Sequence, residues 1–222
     1  MHRSFRIRVF LGGPLLFIVA ALAGCTTAIP QNEQGVRSLA LYKELVGRDP
    51  SKRLVDLRDT IPGIVIDIRY VTDENFLKQP VYNSARPLLR APAALALRAV
   101  QRELAAQGFG IKVWDAYRPY CVTQKMWDLI RDPDFVADPA QGSRHNRGAA
   151  VDLTLVDLAT GRELEMPTAY DEFSPRAHHD FPKLGKQAMR HRALLREVYG
   201  APRLRALPDR MVALRLSRMG TI

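Results

Sequence analysis

Ser143-Arg-His145-Asn-Arg-Gly148-Ala-Ala150-Val-Asp152-Leu-Thr-Leu155 is the stretch whose reading decides the fold. An imidazole and a carboxylate stand seven residues apart, with Gly148, Ala149 and Ala150 between them. From Ala150 the chain is apolar and β-prone, which predicts a strand over Ala150–Leu155 preceded by a loop carrying His145. Gly148 lets the backbone double back, so that both side chains reach one point. Zinc takes nitrogen from His and oxygen from Asp, and a catalytic zinc uses three protein ligands plus a water. Taken alone, a His and an Asp at this spacing also describe ordinary turn and strand residues.

Upstream, Ile64, Ile66 and Ile68 alternate with Val65, Asp67 and Arg69, the pattern of a strand with one face buried. Pro92 to Gln107 reads as a helix with Pro in its first turn and Leu97, Val100 and Leu104 as its apolar stripe. Gly108 or Gly110 stops it. Ile111 to Tyr117 is the next predicted strand, and Tyr120 to Arg131 the next helix. Arg118 precedes Pro119, which holds it in an extended conformation suited to an arm aimed into a cleft; it also has Asp115 as a structural partner three residues back. Downstream, Asp157-Leu-Ala-Thr-Gly161 is a hairpin turn, and Lys186 to Tyr199 a last helix with Met189, Leu195 and Val198 among its apolar positions. Strands mixed with flanking helices and long loops predict a single α+β domain with a small, mostly antiparallel sheet.

At the N-terminus Arg3, Arg6 and Arg8 precede an apolar run from Val9 to Ala23, the layout of a secretory signal. The run is short for a membrane span of about 20 apolar residues. Leu22-Ala-Gly-Cys25 resembles the bacterial lipobox, which implies residues 1–24 as signal peptide and lipidation of Cys25. A plain signal peptide or an N-terminal anchor is the alternative. Thr26 rather than Asp after that Cys points to the outer membrane, facing the periplasm. Residues 25–53 are then a tether, polar and unpatterned, with a turn at Gly47-Arg-Asp-Pro50. Cys121 is the remaining cysteine, so once Cys25 is lipidated the fold stands on its core without a disulfide.

The 222 residues carry a formal net charge of +10. Three Arg lie in residues 1–24, and residues 203–222 hold five Arg against one Asp, which leaves +3 for the body. A nucleic-acid partner needs a basic stripe on the folded domain, and this charge is too small for one.

The strings Ser143-x-His145-x-x-Gly148-x-Ala150-x-Asp152 and Asp115-Ala-Tyr-Arg118-Pro together resemble the D-alanyl-D-alanine dipeptidases of the vancomycin-resistance type. These belong to a broader group of zinc DD- and LD-carboxypeptidases. Asn75-Phe76 and the segment Met166-Pro-Thr-Ala-Tyr170-Asp171 with Ser174-Pro-Arg-Ala-His178 are similar to further family segments, with Tyr170 in place of the usual Phe. The resemblance covers residues 54–198. It implies one zinc ion per chain with His145 and Asp152 as two of its three ligands. It implies Arg118 as the group that stabilises the oxyanion, and the dipeptide D-alanyl-D-alanine as substrate. Asp115, Ser143 and Asp171 are candidate supporting or substrate-side residues; Asp171 is equally a turn carboxylate. His178 and His179 are not expected as the third ligand, which the family draws from further on. A carboxypeptidase acting on peptidoglycan stem peptides shares the zinc motif, and substrate length discriminates it. A cell-wall-peptide-binding lipoprotein without catalysis is a third reading, separated by metal content and a hydrolysis assay.

The family completes its site with a Gly-Phe…Glu-Trp-Trp-His motif, the Glu as general base and the His as third ligand. This chain has Arg203 to Ile222 there, Arg-rich and without a His. Reading each codon from its second base changes the picture. The shifted codon across Met211-Val212 must be TGG, which is Trp. The codons of Arg210, Val212 and Ala213 permit Glu, a second Trp and His around it, and Arg203-Leu204-Arg205 permits Gly-Phe at the family's spacing. Residues 199–222 are therefore expected to be an out-of-frame tail, with a genuinely divergent C-terminal tail as the alternative.

Overall fold

The computed structural model describes residues 38–133, 136–172, 174–177 and 180–199, and the backbone of 213–216. Cys25, the expected signal peptide, His178, His179 and most of the expected out-of-frame tail lie outside the described residues. Among the described residues, no helix is long and apolar enough to cross a membrane.

Helix α1, Leu39–Arg48, lies inside the expected tether. Ser38 caps it, its Oγ accepting from the Leu41 N–H, and Tyr42 Oη accepts from the Leu54 N–H at 2.8 Å. Local capping chemistry, invisible to a search for apolar periodicity, starts this helix. Strand β1 (Leu54–Asp56) leads into the short helix α2 (Leu57–Thr60). The predicted alternating strand shrinks to β2, Val65–Ile66, because the chain turns into a 3-10 helix at Arg69–Val71. Strand β3 (Leu88–Arg90) pairs antiparallel with β1 and runs into helix α3, Ala91–Ala105. Then come β4 (Phe109–Asp115), α4 (Tyr120–Leu129), β5 (Ala150–Asp157), α5 (Lys186–Tyr199) and β6 (Ala213–Leu216).

The main sheet has the order β2-β4-β5-β6. Its long central pair β4–β5 is antiparallel, and the shorter β2 and β6 add on in parallel; with the antiparallel β1–β3 pair counted, more residues pair antiparallel than parallel in this α+β domain. One face is covered by Leu97, Val100 and Leu104 of α3 and by Leu195 and Val198 of α5. They pack on Ile111, Val113, Val151, Leu153 and Leu155. Met189, expected among the apolar positions of α5, points outward, because Ala188, Arg192, Leu195 and Val198 form the buried stripe. The hairpin after β5 returns as expected, with the Leu164 N–H donating to the Leu155 carbonyl at 2.9 Å.

The opposite face of the sheet carries the polar members of β5, Asp152 and Thr154. Pairing runs Val113 with Leu153 and then Asp115 with Asp152, so Trp114 is an extra residue in the ladder. A bulge of this kind re-aims the side chain that follows it. Asp115 is thereby brought opposite Asp152.

Gly148 closes the turn before β5 with φ of +62°. A Cβ there would meet Leu54 Cδ2 and lie 3.3 Å from the Arg90 backbone nitrogen. Both the left-handed backbone and the contact oppose any side chain. Gly148→Ala is expected to lower unfolding free energy by about 1–3 kcal/mol. Urea denaturation checks this, and a change under about 0.5 kcal/mol, the range of an ordinary surface substitution, would contradict it.

Candidate metal centre

His145 opens a 3-10 turn, His145–Arg147, between the loop after α4 and strand β5. Ser143 Oγ accepts from the His145 backbone N–H at 3.2 Å and so starts the turn. The ring Nδ1 lies 2.7 Å from the Ala116 carbonyl. A carbonyl only accepts, so Nδ1 carries a proton, which leaves Nε2 as the ring nitrogen a metal would take. That Nε2 is buried with no hydrogen-bond partner among the described residues, and Asp152 Oδ1 stands 3.5 Å from it. Two acceptors facing each other in a buried site repel unless a cation sits against both. The donor set, neutral imidazole plus carboxylate, suits zinc. The orienting partner of the ring is thus a backbone carbonyl, the usual support for a metal-binding His.

Asp115, His145 and Asp152 offer ligand atoms within 4.8 Å of one another. Asp115 nevertheless faces the wrong side of the ring, 3.6 Å from Nδ1. Its oxygens are also already occupied. Oδ1 accepts from Tyr82 Oη at 2.7 Å and the Ala116 N–H at 2.8 Å, and Oδ2 accepts from Arg118 Nε at 3.1 Å and Nη2 at 2.7 Å. Asp115 holds Arg118; it does not complete a set with Nε2.

Arg118 is 7% exposed. Burial works against its charge, but Asp115, together with Tyr70, Tyr82 and Asp152, outweighs this and holds the guanidinium well above its ordinary pKa. Its Nη2 lies 3.8 Å from Asp152 Oδ2, and its Cζ sits 5.3 Å from the centre of the Tyr70 ring. Burial, then the charge of Asp115, pushes the Tyr82 phenol well above its ordinary value, so it remains a donor to that carboxylate.

The two loops are laced together. The Arg118 N–H donates to the His145 carbonyl at 3.1 Å. Asn146 Nδ2 donates to the Arg118 carbonyl at 2.9 Å and to Thr123 Oγ1 at 2.8 Å. Asn146 and Tyr82 are site residues that sequence reading passed over, although Asn146 lies inside the opening string. The structure thus brings His145, Asp152, Arg118, Asp115 and Ser143 together. Asp171 lies further along the same face, with Tyr70 Oη at 3.4 Å from each of its oxygens and the Phe76 N–H donating to it at 3.3 Å. Asn75 bridges its own loop, donating to the carbonyls of Thr72 and Gln79.

The family model for D-ala-D-ala dipeptidase matches residues 50–205, which contain every residue of this site named above. The chain belongs to the D-ala-D-ala dipeptidase family. This is a zinc-dependent peptidase family. The D-alanyl-D-alanine dipeptidase of Escherichia coli (strain K12) is 35% identical over 145 residues, 65% of this chain and 75% of the relative. The D-alanyl-D-alanine dipeptidase of Enterococcus faecalis is 30% identical over 162 residues, 64% of this chain and 80% of its own. The Streptomyces coelicolor dipeptidase is 29% identical over 163 residues, 64% of this chain and 81% of its own. The dipeptidase match stops at residue 205, before β6.

Proposed function

We propose that this chain is built to hydrolyse D-alanyl-D-alanine at a single zinc ion held by His145 Nε2 and Asp152. The observation that carries the reading is the buried pair itself, an imidazole lone pair facing a carboxylate oxygen at 3.5 Å with the tautomer set by Ala116. Bound there, zinc supplies a Lewis acid toward the scissile carbonyl and acidifies a water. Arg118 holds a fixed positive charge beside that point, where negative charge builds on the carbonyl oxygen. Asp115 and Tyr82 keep the guanidinium in place, so no reorganisation is needed as the charge develops. Ser143 and Asn146 hold the His145 turn against Arg118. Asp171 is a substrate-side carboxylate on the same face.

The third ligand and the general base are absent from residues 203–222, and we attribute this to a shifted reading frame. In the shifted frame a Trp is compelled across Met211-Val212, and the codons of Arg210, Val212 and Ala213 permit Glu, a second Trp and His around it. Lipidation at Cys25 and a periplasmic, outer-membrane location belong to the same reading, because D-alanyl-D-alanine is a cell-wall building block.

Zinc titration of the purified chain tests the site. With two protein ligands the chain is expected to bind zinc weakly, and His145→Ala to weaken that binding by about ten-fold or more. Equal zinc affinity in the two proteins would remove His145 from the site.

A further inference from the structure

The open face of β4 and β5 holds more unpaired polar atoms than the metal explains. Trp114 Nε1, Thr154 Oγ1 and Tyr170 Oη are buried without a hydrogen-bond partner among the described residues. Native folds rarely leave such groups unmatched, because each bears its full desolvation penalty. Thr154 is two residues beyond Asp152 on the same strand face. The rings of Trp114 and Tyr170 lie with centroids 5.0 Å apart, and Tyr170 is 6.0 Å from Tyr70, whose ring lies against Arg118. Tyr170 itself is partly exposed while its hydroxyl is buried, as for a ring edge at a cleft. A phenylalanine would fill the same space without an unmatched hydroxyl.

Burial first, then Tyr70 and the carboxylates of Asp171, Asp115 and Asp152, push the Tyr170 phenol well above its ordinary pKa. It is therefore a protonated donor at neutral pH. The indole beside it can only donate. A buried donor without a partner calls for an acceptor oxygen, and a dipeptide has such oxygens at its amide carbonyl and its terminal carboxylate.

We infer that the Tyr170 hydroxyl binds an oxygen of the dipeptide and makes Tyr170 a specificity-determining residue. The inference rests on the dipeptide reading of the site. Its signature is opposite effects on binding and stability: Tyr170→Phe removes a bond to ligand and, in the free protein, an unmatched hydroxyl. The test uses the full zinc-loaded chain, with D-alanyl-D-alanine affinity measured by calorimetry and the thermal midpoint measured without ligand. Tyr170→Phe is expected to raise Kd by about 5- to 10-fold, with an unchanged or higher midpoint. A wild-type-like Kd in the variant overturns the inference alone, as does a lowered midpoint, which would mean that the hydroxyl is bonded within the fold. A wild-type chain that binds no dipeptide overturns the site reading and this inference with it.

Discussion

Repairing the reading frame from codon 199 onward raises D-alanyl-D-alanine hydrolysis by about 10³-fold or more over the chain as it stands. The repair restores two parts of the mechanism at once. A general base alone contributes roughly 10²- to 10⁴-fold, and a metal held by two protein ligands is both weakly retained and poorly oriented. D-alanine release from the two proteins, prepared side by side with zinc, measures it. Equal rates would sink the frame reading, and so would any codon other than GCA at Ala213. His145→Ala in the repaired protein should return the rate to background. Hydrolysis left untouched by that change would remove the metal site from the mechanism.

Arg118 carries the second large effect. In the repaired protein Arg118→Ala is expected to lower kcat by about 10²- to 10³-fold, the usual cost of losing a fixed charge at a developing oxyanion. Arg118→Lys should recover little of this. Arg118 grips Asp115 Oδ2 through both Nε and Nη2, and an ammonium on a flexible stem cannot reproduce that fork. Stability should separate the two variants. Alanine leaves Asp115 buried at 0% exposure without its counter-charge, a loss of about 3–5 kcal/mol, whereas lysine keeps a positive charge nearby. Adding Asp115→Asn to Arg118→Ala should therefore recover much of the stability and none of the rate. Urea denaturation and initial rates on the same samples decide it. If the double variant regained activity, Arg118 would be a structural partner of Asp115 and nothing more.

Sequence reading reached furthest where the determinants are local. Helix α5 runs from Lys186 to Tyr199 as expected, and α3 and α4 depart by a residue or two at their ends. Strand β5 was legible from its apolar run, whereas His145 and Asp152 stood out through the family resemblance of the whole string rather than their spacing. Helix α1 was missed because its signal is the Ser38 cap, not an apolar face: none of its residues is buried. The stretch around Ile64 to Ile68 alternates like a long strand but pairs for two residues, since η-type turning at Arg69 competes with the ladder. Asp171 was a candidate to orient a ligand, and the ring of His145 is instead oriented by a backbone carbonyl. No side-chain pattern could have announced a carbonyl.

By itself the sequence determined the α+β class, the helices with strong stripes, the imidazole–carboxylate pair and the strand that carries Asp152. Each follows from residues within a few positions of one another, where periodicity and a glycine's freedom act directly. Tertiary structure alone decided which nitrogen of His145 is left free, and that Asp115 holds Arg118 through a bulge at Trp114. It also decided that Asn146 laces two loops and that the hydroxyl of Tyr170 is buried unmatched. These depend on contacts between segments tens of residues apart, and only packing brings such groups within hydrogen-bond range.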